Sequence, residues 1–225
     1  MSLRGSAFLA IWHDIEAHGE LEYNDWHTRE HMPERVSVPG FLVGRRYVDW
    51  SLPLYRYFTL YEGASLGTFN SPPYLARLNA PTAWTNRIQP HFRNMVRAAC
   101  TTIVSTGRGT GGALLTARVD FTSAGRDAFT AAARDIADQV GHRRGVTGVH
   151  VGVAEPNVTN VQTAEKELRK GAADAVFDGV VLVDGFGRRE LEDVRVAVAE
   201  LLSERVGVAR ASVGVYDLAY LLTPE

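Results

Sequence analysis

Between Trp26 and Arg35 the chain carries His27, Glu30, His31 and Glu34. The spacing i, i+3, i+4, i+7 places all four side chains on one face of a helix. Two imidazoles one turn apart can act as general acid and base, because an unperturbed histidine titrates close to neutral pH. They can also reach a shared divalent metal, with His13, Glu62 or His91 as the third ligand. Or they can hydrogen-bond neighbours and hold the Pro39-Gly40 turn. The pattern His27-x-x-Glu30-His31 has the spacing of inverted zincins. Those proteases are far larger, so that role is not expected. No metal centre is expected either; His27 and His31 are the residues that would ligate one.

A second group lies on strands. His13 ends an apolar run from Phe8, and Trp12 beside it points to the opposite face. From Leu54 to Glu62 the residues alternate, with Tyr55, Tyr57, Thr59 and Tyr61 on one face. Arg45 and Arg46 are neighbours in a strand and point to opposite faces. One is therefore directed inward and needs a partner, either a carboxylate such as Glu62 or Asp49 or an anionic substrate.

The elements that position these residues follow from period and punctuation. Phe8 to His13 is a strand. A helix runs from Leu21 to about Val36 and is stopped by Pro39-Gly40. Phe41–Trp50 and Leu54–Glu62 are strands. Ser71-Pro72-Pro73 opens a second helical region, broken near Ala80-Pro81 and Gln89-Pro90. Val96–Ser105 is a fourth strand. The order is βαββαβ. After the glycine-rich segment 107–112 it repeats: a strand at 113–121, a helix from about Gly125 to Arg143, strands at 146–154 and 180–186, a helix from Glu190 to Val206, and a last strand at 211–222. The difference is an insertion at about 155–176, whose charged stretch Glu165–Lys170 reads as a solvated surface helix. A βαββαβ unit makes a sheet with helices on one face and leaves the other bare. The expected fold is therefore α+β: a first unit at 1–106, a linker at 107–112 and a divergent second unit at 113–225, packed sheet to sheet as a barrel.

Composition narrows the function classes. A net charge of −2 gives no global field toward nucleic acid or an anionic membrane. No apolar run approaches the ~20 residues of a membrane helix. No signal peptide is read at the N-terminus, and the single Cys100 excludes an intramolecular disulfide framework. A cytoplasmic protein is expected.

The stretch Tyr23-Asn24-Asp25-Trp26-His27-Thr28-Arg29-Glu30-His31-Met32-Pro33-Glu34-Arg35, followed by Pro39-Gly40-Phe41 and Arg45-Arg46-Tyr47, resembles the dimeric α+β barrel superfamily, in particular its EthD-like branch. The second half matches in element order only. The resemblance implies an enzyme of the isomerase, cyclase or cofactor-independent monooxygenase type. Its partner would be a small organic molecule, bound between sheet and helices. It also places His13 at that pocket, as a strand-end residue. On this reading His13, His27, His31 and Tyr61 are the candidate catalytic residues, and Trp26, Arg46, Tyr55 and Tyr57 the substrate contacts. No cofactor is expected. Haem-binding double-barrel relatives exist, but the second half shows no axial-histidine motif. The alternatives are a non-catalytic ligand-binding or structural barrel and a His-ligated metal protein. The chain would be a monomer with an internal barrel, or a homodimer.

Overall fold

The computed structural model describes residues 3–169 and 174–225. Its strands are β1 (Ala7–Ile15), β2 (Phe41–Val48), β3 (Tyr57–Gly63), β4 (Phe92–Ser105), β5 (Ala113–Phe121), β6 (Val146–Ala154), β7 (Gly179–Gly185) and β8 (Val208–Leu222). They close into one barrel in the order β1-β3-β2-β8-β5-β7-β6-β4. The first half thus contributes β4-β1-β3-β2 and the second β8-β5-β7-β6. Antiparallel pairing of β2 with β8 and of β4 with β6 joins them. The barrel is closed within a single chain, as expected of two ferredoxin-like units packed sheet to sheet.

The helices cover the outside. In the first half they are α1 (Glu20–Trp26), α2 (Met32–Val36), α3 (Pro72–Asn79) and α4 (Ala83–Ile88). In the second they are α5 (Gly125–Gly141) and α8 (Arg188–Ser203), with the short α6 (Pro156–Thr159) and α7 (Ala164–Leu168) in the insertion between β6 and β7. Under α5 and α8 the sheet is packed by Phe129, Ile136, Val140, Leu191, Val198 and Leu202. Among the described residues, no helix is long and apolar enough to cross a membrane.

One sequence expectation is corrected. Strand β3 begins at Tyr57, not Leu54. Tyr55 has φ 58°, and the Asp14 carboxylate accepts the backbone N–H groups of Tyr55 and Arg56 at 3.0 and 2.8 Å. That clamp bends the chain out of extended geometry, which alternation alone does not reveal. In the linker, Gly107 and Gly111 serve close approach: a Cβ on Gly111 would lie 1.8 Å from the Gly185 carbonyl oxygen, and one on Gly107 2.3 Å from that of Thr147.

Strand alternation divides the residues between two environments. Phe8, Ala10, Trp12, Tyr47, Phe58 and Leu60 point into the barrel, where they meet Leu114, Leu182 and Tyr216 of the second half. The interior also holds a polar chain. Ser105 bonds His150 Nδ1 at 2.8 Å, and His150 Nε2 meets Asp184 at 2.9 Å. Arg45 lies between Asp184, at 3.5 Å, and Glu62. Glu62 in turn accepts the Arg4 backbone N–H at 2.7 Å. Arg45 is therefore the arginine that faces the interior, and its partner is Glu62. Asp49 instead pairs with Arg188 at 3.2 Å. Removing one partner of a buried ion pair strands the other. Arg45→Met is expected to cost about 3–5 kcal/mol in urea unfolding; a loss under about 1 kcal/mol would mean that the chain does not hold the two sheets together.

Candidate active site

The opposite faces of the same strands build a second environment, under the first-half helices. Ile11 and His13 on β1, Thr59 and Tyr61 on β3, and Met95 and Arg97 on β4 point outward into a cavity of about 50 Å³. His27, His31 and Arg35 come down from the first helix, and Tyr74 and Leu78 from α3. Gln89 and Phe92 close one end. Glu165 and Arg169 arrive from the second half, on the insertion.

The first helix is continuous in direction but not in winding. His27–His31 forms a π-helical turn between α1 and α2. Such turns are single-turn departures that are frequent at functional sites. Pro33 lies just after it and has no N–H to give the preceding turn. The wider turn brings the His27 and His31 rings to 5.4 Å between centroids. Trp26 backs them: its ring lies 4.3 Å from that of His31, and its Nε1 donates to Glu30 at 3.1 Å and Thr85 at 3.2 Å. Glu30 also accepts from the Thr82 hydroxyl at 2.5 Å, and Thr82 caps α4. Glu30 is thus spent on joining two helices and does not face the cavity.

His13 is held by Tyr23, whose hydroxyl lies 3.1 Å from His13 Nε2, and by Tyr57, whose ring lies parallel at 5.4 Å. Burial pushes the His13 pKa down to about 3. Burial also holds His27 and His31 well below the usual range, reinforced by Arg46 and His13 for His27 and by Arg35 and His27 for His31. All three rings are therefore neutral at pH 7. This corrects the expectation of titration near neutrality, which belongs to a solvated imidazole.

The Nδ1 atoms of all three histidines are buried and unpaired among the described residues. So are the Tyr61 hydroxyl, Thr59 Oγ1, Gln89 Oε1 and Arg97 Nε. Buried polar atoms in folded proteins are ordinarily satisfied by protein, water or ligand. A cavity lined this way is built for polar contents. Among the residues that line it, Arg35, Arg97 and Arg169 outnumber Glu165. Arg35 is matched by Glu34 at 2.8 Å and by Glu165, and Arg169 by Asp174 at 3.5 Å. Arg97 has no ion pair among the described residues. Among the described residues, Arg46, just behind the helix, bonds only the neutral Asn24 carbonyl at 3.3 Å and Thr28 hydroxyl at 3.0 Å.

The sequence candidates are therefore sorted. His13, His27, His31 and Tyr61 meet at one cavity. Trp26, Tyr57 and Arg46 form its support and do not line it; the Tyr57 hydroxyl bonds Glu20 and Asn24 at 3.0 and 3.1 Å. Tyr55 is elsewhere: Arg118 lies 4.2 Å above its ring, on the barrel side. Of the proposed third metal ligands, His13 shares the cavity with His27 and His31, without forming a close ligand group with them among the described residues, and the other two lie elsewhere. Glu62 is inside the barrel, and His91 pairs with Glu16 at 2.9 Å. His31 does approach Glu34 and Glu165, but both carboxylates hold Arg35. The insertion was expected to be a solvated helix, yet Glu165 is 5% exposed. Its buried partner Arg35 lies 130 positions earlier, beyond the reach of a local charge-pattern reading. Arg97 did carry a signal, a lone charge in an apolar strand.

Because the folded cavity refuses protons that the unfolded chain accepts, stability is fully present above about pH 6.5 and is lost as pH falls from there toward about 3. The slope is up to about 1.4 kcal/mol per pH unit for each histidine. Urea midpoints at pH 7.5 and 5.5 are expected to diverge, and His27→Asn is expected to shrink the difference. An unchanged pH dependence in that variant would show that its ring is not held neutral.

No family model and no characterised protein matches the chain in sequence. Solved structures do match in shape. A provisionally named monooxygenase of Fusobacterium nucleatum has a TM-score of 0.60 at 9% identity, covering 98% of this chain and 95% of its own. An anthrone oxidase-like protein has 0.60 at 8%, covering 99% and 95%. A chlorite dismutase of Candidatus Nitrospira defluvii has 0.56 at 10%, covering 96% and 92%. Haem, which the fold's double-barrel relatives imply, does not suit the second half. There the space between helices and sheet is filled by aliphatic and aromatic side chains, and His150 is turned into the barrel. At these identities the likeness is one of architecture: the chain shares with these proteins the ferredoxin-like α+β barrel.

Proposed function

We propose that the first-unit cavity is the active site of an enzyme that removes a proton from a small organic molecule and holds the resulting anion. The observation that carries this reading is the convergence of three neutral imidazoles with unpaired nitrogens, the Tyr61 hydroxyl and the uncompensated Arg97 on one buried space. A neutral histidine can accept a proton. A base held far below neutrality is weak, and Arg46 and Arg35 contribute to that depression. An anionic or anion-developing ligand offsets their fields and raises the histidines' pKa values. The base thus strengthens in the complex, while Arg97 and Tyr61 stabilise charge as it forms. Suitable substrates are phenols, enols and activated aromatic C–H acids. The anion then isomerises, cyclises or meets dioxygen, and the names of the structural neighbours favour the last. The helix, Pro-Gly-Phe and Arg-Arg-Tyr segments support placement in the EthD-like branch, and the matched strand order of the halves supports an origin by duplication around the 107–112 linker.

A cavity of about 50 Å³ holds a few waters or dioxygen, whereas organic ligands occupy roughly 300–1,000 Å³. Entry of an organic substrate therefore needs the cavity to widen, and the insertion carrying Glu165 and Arg169 is the wall that belongs to neither a barrel strand nor a first-half helix. The same small volume favours a second reading, a barrel whose histidines are structural. Proton abstraction discriminates the two whatever the product. In D2O, the protein is expected to catalyse deuterium exchange into the acidic C–H position of an anthrone- or 1,3-diketone-type compound, read by NMR. His27→Gln and His31→Gln should each lower that rate about 10²–10⁴-fold. If a substrate is found and His13, His27 and His31 variants all keep full rate, the assignment is wrong.

A further inference from the structure

We infer that Glu16, His18 and His91 form a surface site for a divalent transition-metal ion of the zinc class, separate from the cavity. Glu16 Oε2 lies 2.9 Å from His91 Nδ1 and 3.5 Å from His18 Nε2. All three ligand atoms fall within 4.8 Å of one another. A tetrahedral ion with ligands at about 2.0–2.1 Å holds them roughly 3.3 Å apart, so small side-chain adjustments suffice. The two imidazole rings stand perpendicular, 4.8 Å between centroids. They converge on the carboxylate from different directions and do not stack over it.

The backbone prepares this arrangement. Glu16 N–H donates to the His91 carbonyl at 3.1 Å, fastening the chain after β1 to the turn before β4. Gly19 lets His91 come close: a Cβ there would lie 3.2 Å from the His91 ring. Arg93 holds the other Glu16 oxygen and also donates to the Pro90 carbonyl at 2.8 Å. This fixes the carboxylate with Oε2 toward the histidines, the outer-shell arrangement found around ligating carboxylates. The Arg93 charge opposes a cation, so the site is weaker than a structural zinc centre. Its donors are two imidazoles and one carboxylate. Imidazole favours zinc, nickel or copper over magnesium and calcium. His18 is 71% exposed, which leaves an entry path and an open coordination position for water.

The site borders the cavity without sharing ligands with it. Glu16 follows His13 on the same strand end, and Gln89 and Phe92, which line the cavity, flank His91. A bound ion would pin that rim.

Tag-free full-length protein titrated with Zn2+ by calorimetry, and with Co2+ by visible absorption, tests this. One equivalent is expected to bind, with the intense d–d bands of tetrahedral Co2+, and Mg2+ is expected not to compete. His18→Ala, at an exposed position, and His91→Gln should each weaken binding by at least about tenfold, with unchanged circular dichroism, while His31→Gln should leave it intact. Absence of saturable binding overturns the proposal. So does binding that survives in the double variant His18→Ala/His91→Gln, or that is lost in His31→Gln.

Discussion

The constraint on which the structure depends is the bare face of a four-stranded ferredoxin-like sheet. Helices shield one side only, so the other must find an apolar partner. Here the partner is the second half of the same chain, and the β2–β8 and β4–β6 seams remove every open edge. What the two sheets enclose is not purely apolar. Trp12 donates to Thr116 across the interior at 3.2 Å, and Arg45 of the first half spans Glu62 of its own sheet and Asp184 of the other. Such polar contacts between sheets contribute less to net stability than apolar packing of equal volume. They do fix which residue faces which, because a slip by one position would strand every charge.

That register decides the site as well. A strand turned by one residue exchanges its faces. Trp12 and His13, Arg45 and Arg46, and Leu60 and Tyr61 are all adjacent pairs with one member in the barrel and one under the helices. The polar chain that anchors Arg45 inside thereby sends Arg46 outward, where its field depresses His27. The chemistry of the cavity is in this sense a by-product of the sheet pairing.

How much of this was legible in the sequence follows from the range of the signals. The βαββαβ order, its repetition, the breaks at Pro81 and Pro90 and the grouping of His27 with His31 rest on neighbours within a few positions, and these were readable. The opposite faces of Arg45 and Arg46 were readable too, but not which one went in, since that depended on which of them met Glu62 and Asp184 across the sheets. Tyr55 misled because the Asp14 side chain, 41 positions away, bends the backbone there. The π turn at His27–His31 is invisible to a 3.6-residue period. Glu165 looked solvated because its charge pattern is local, while its partner Arg35 is not.

The insertion also changes the meaning of the chain's asymmetry. Residue chemistry is concentrated in the first half, which reads as one working unit beside a scaffold. Yet the wall closing the cavity is made by the second half: α7 packs against α3 and α4, and Glu165 reaches both Arg35 and Gln89. The backbone of Ala175, at the far end of the same connection, pairs with Met95 and Arg97 on β4. Those bonds run along the strand that carries Arg97, which has no ion pair among the described residues. A two-chain barrel would need its partner to supply such a wall, at a concentration set by association. Covalent linkage supplies it at fixed effective concentration, so the first half's cavity keeps a wall that its own residues do not provide.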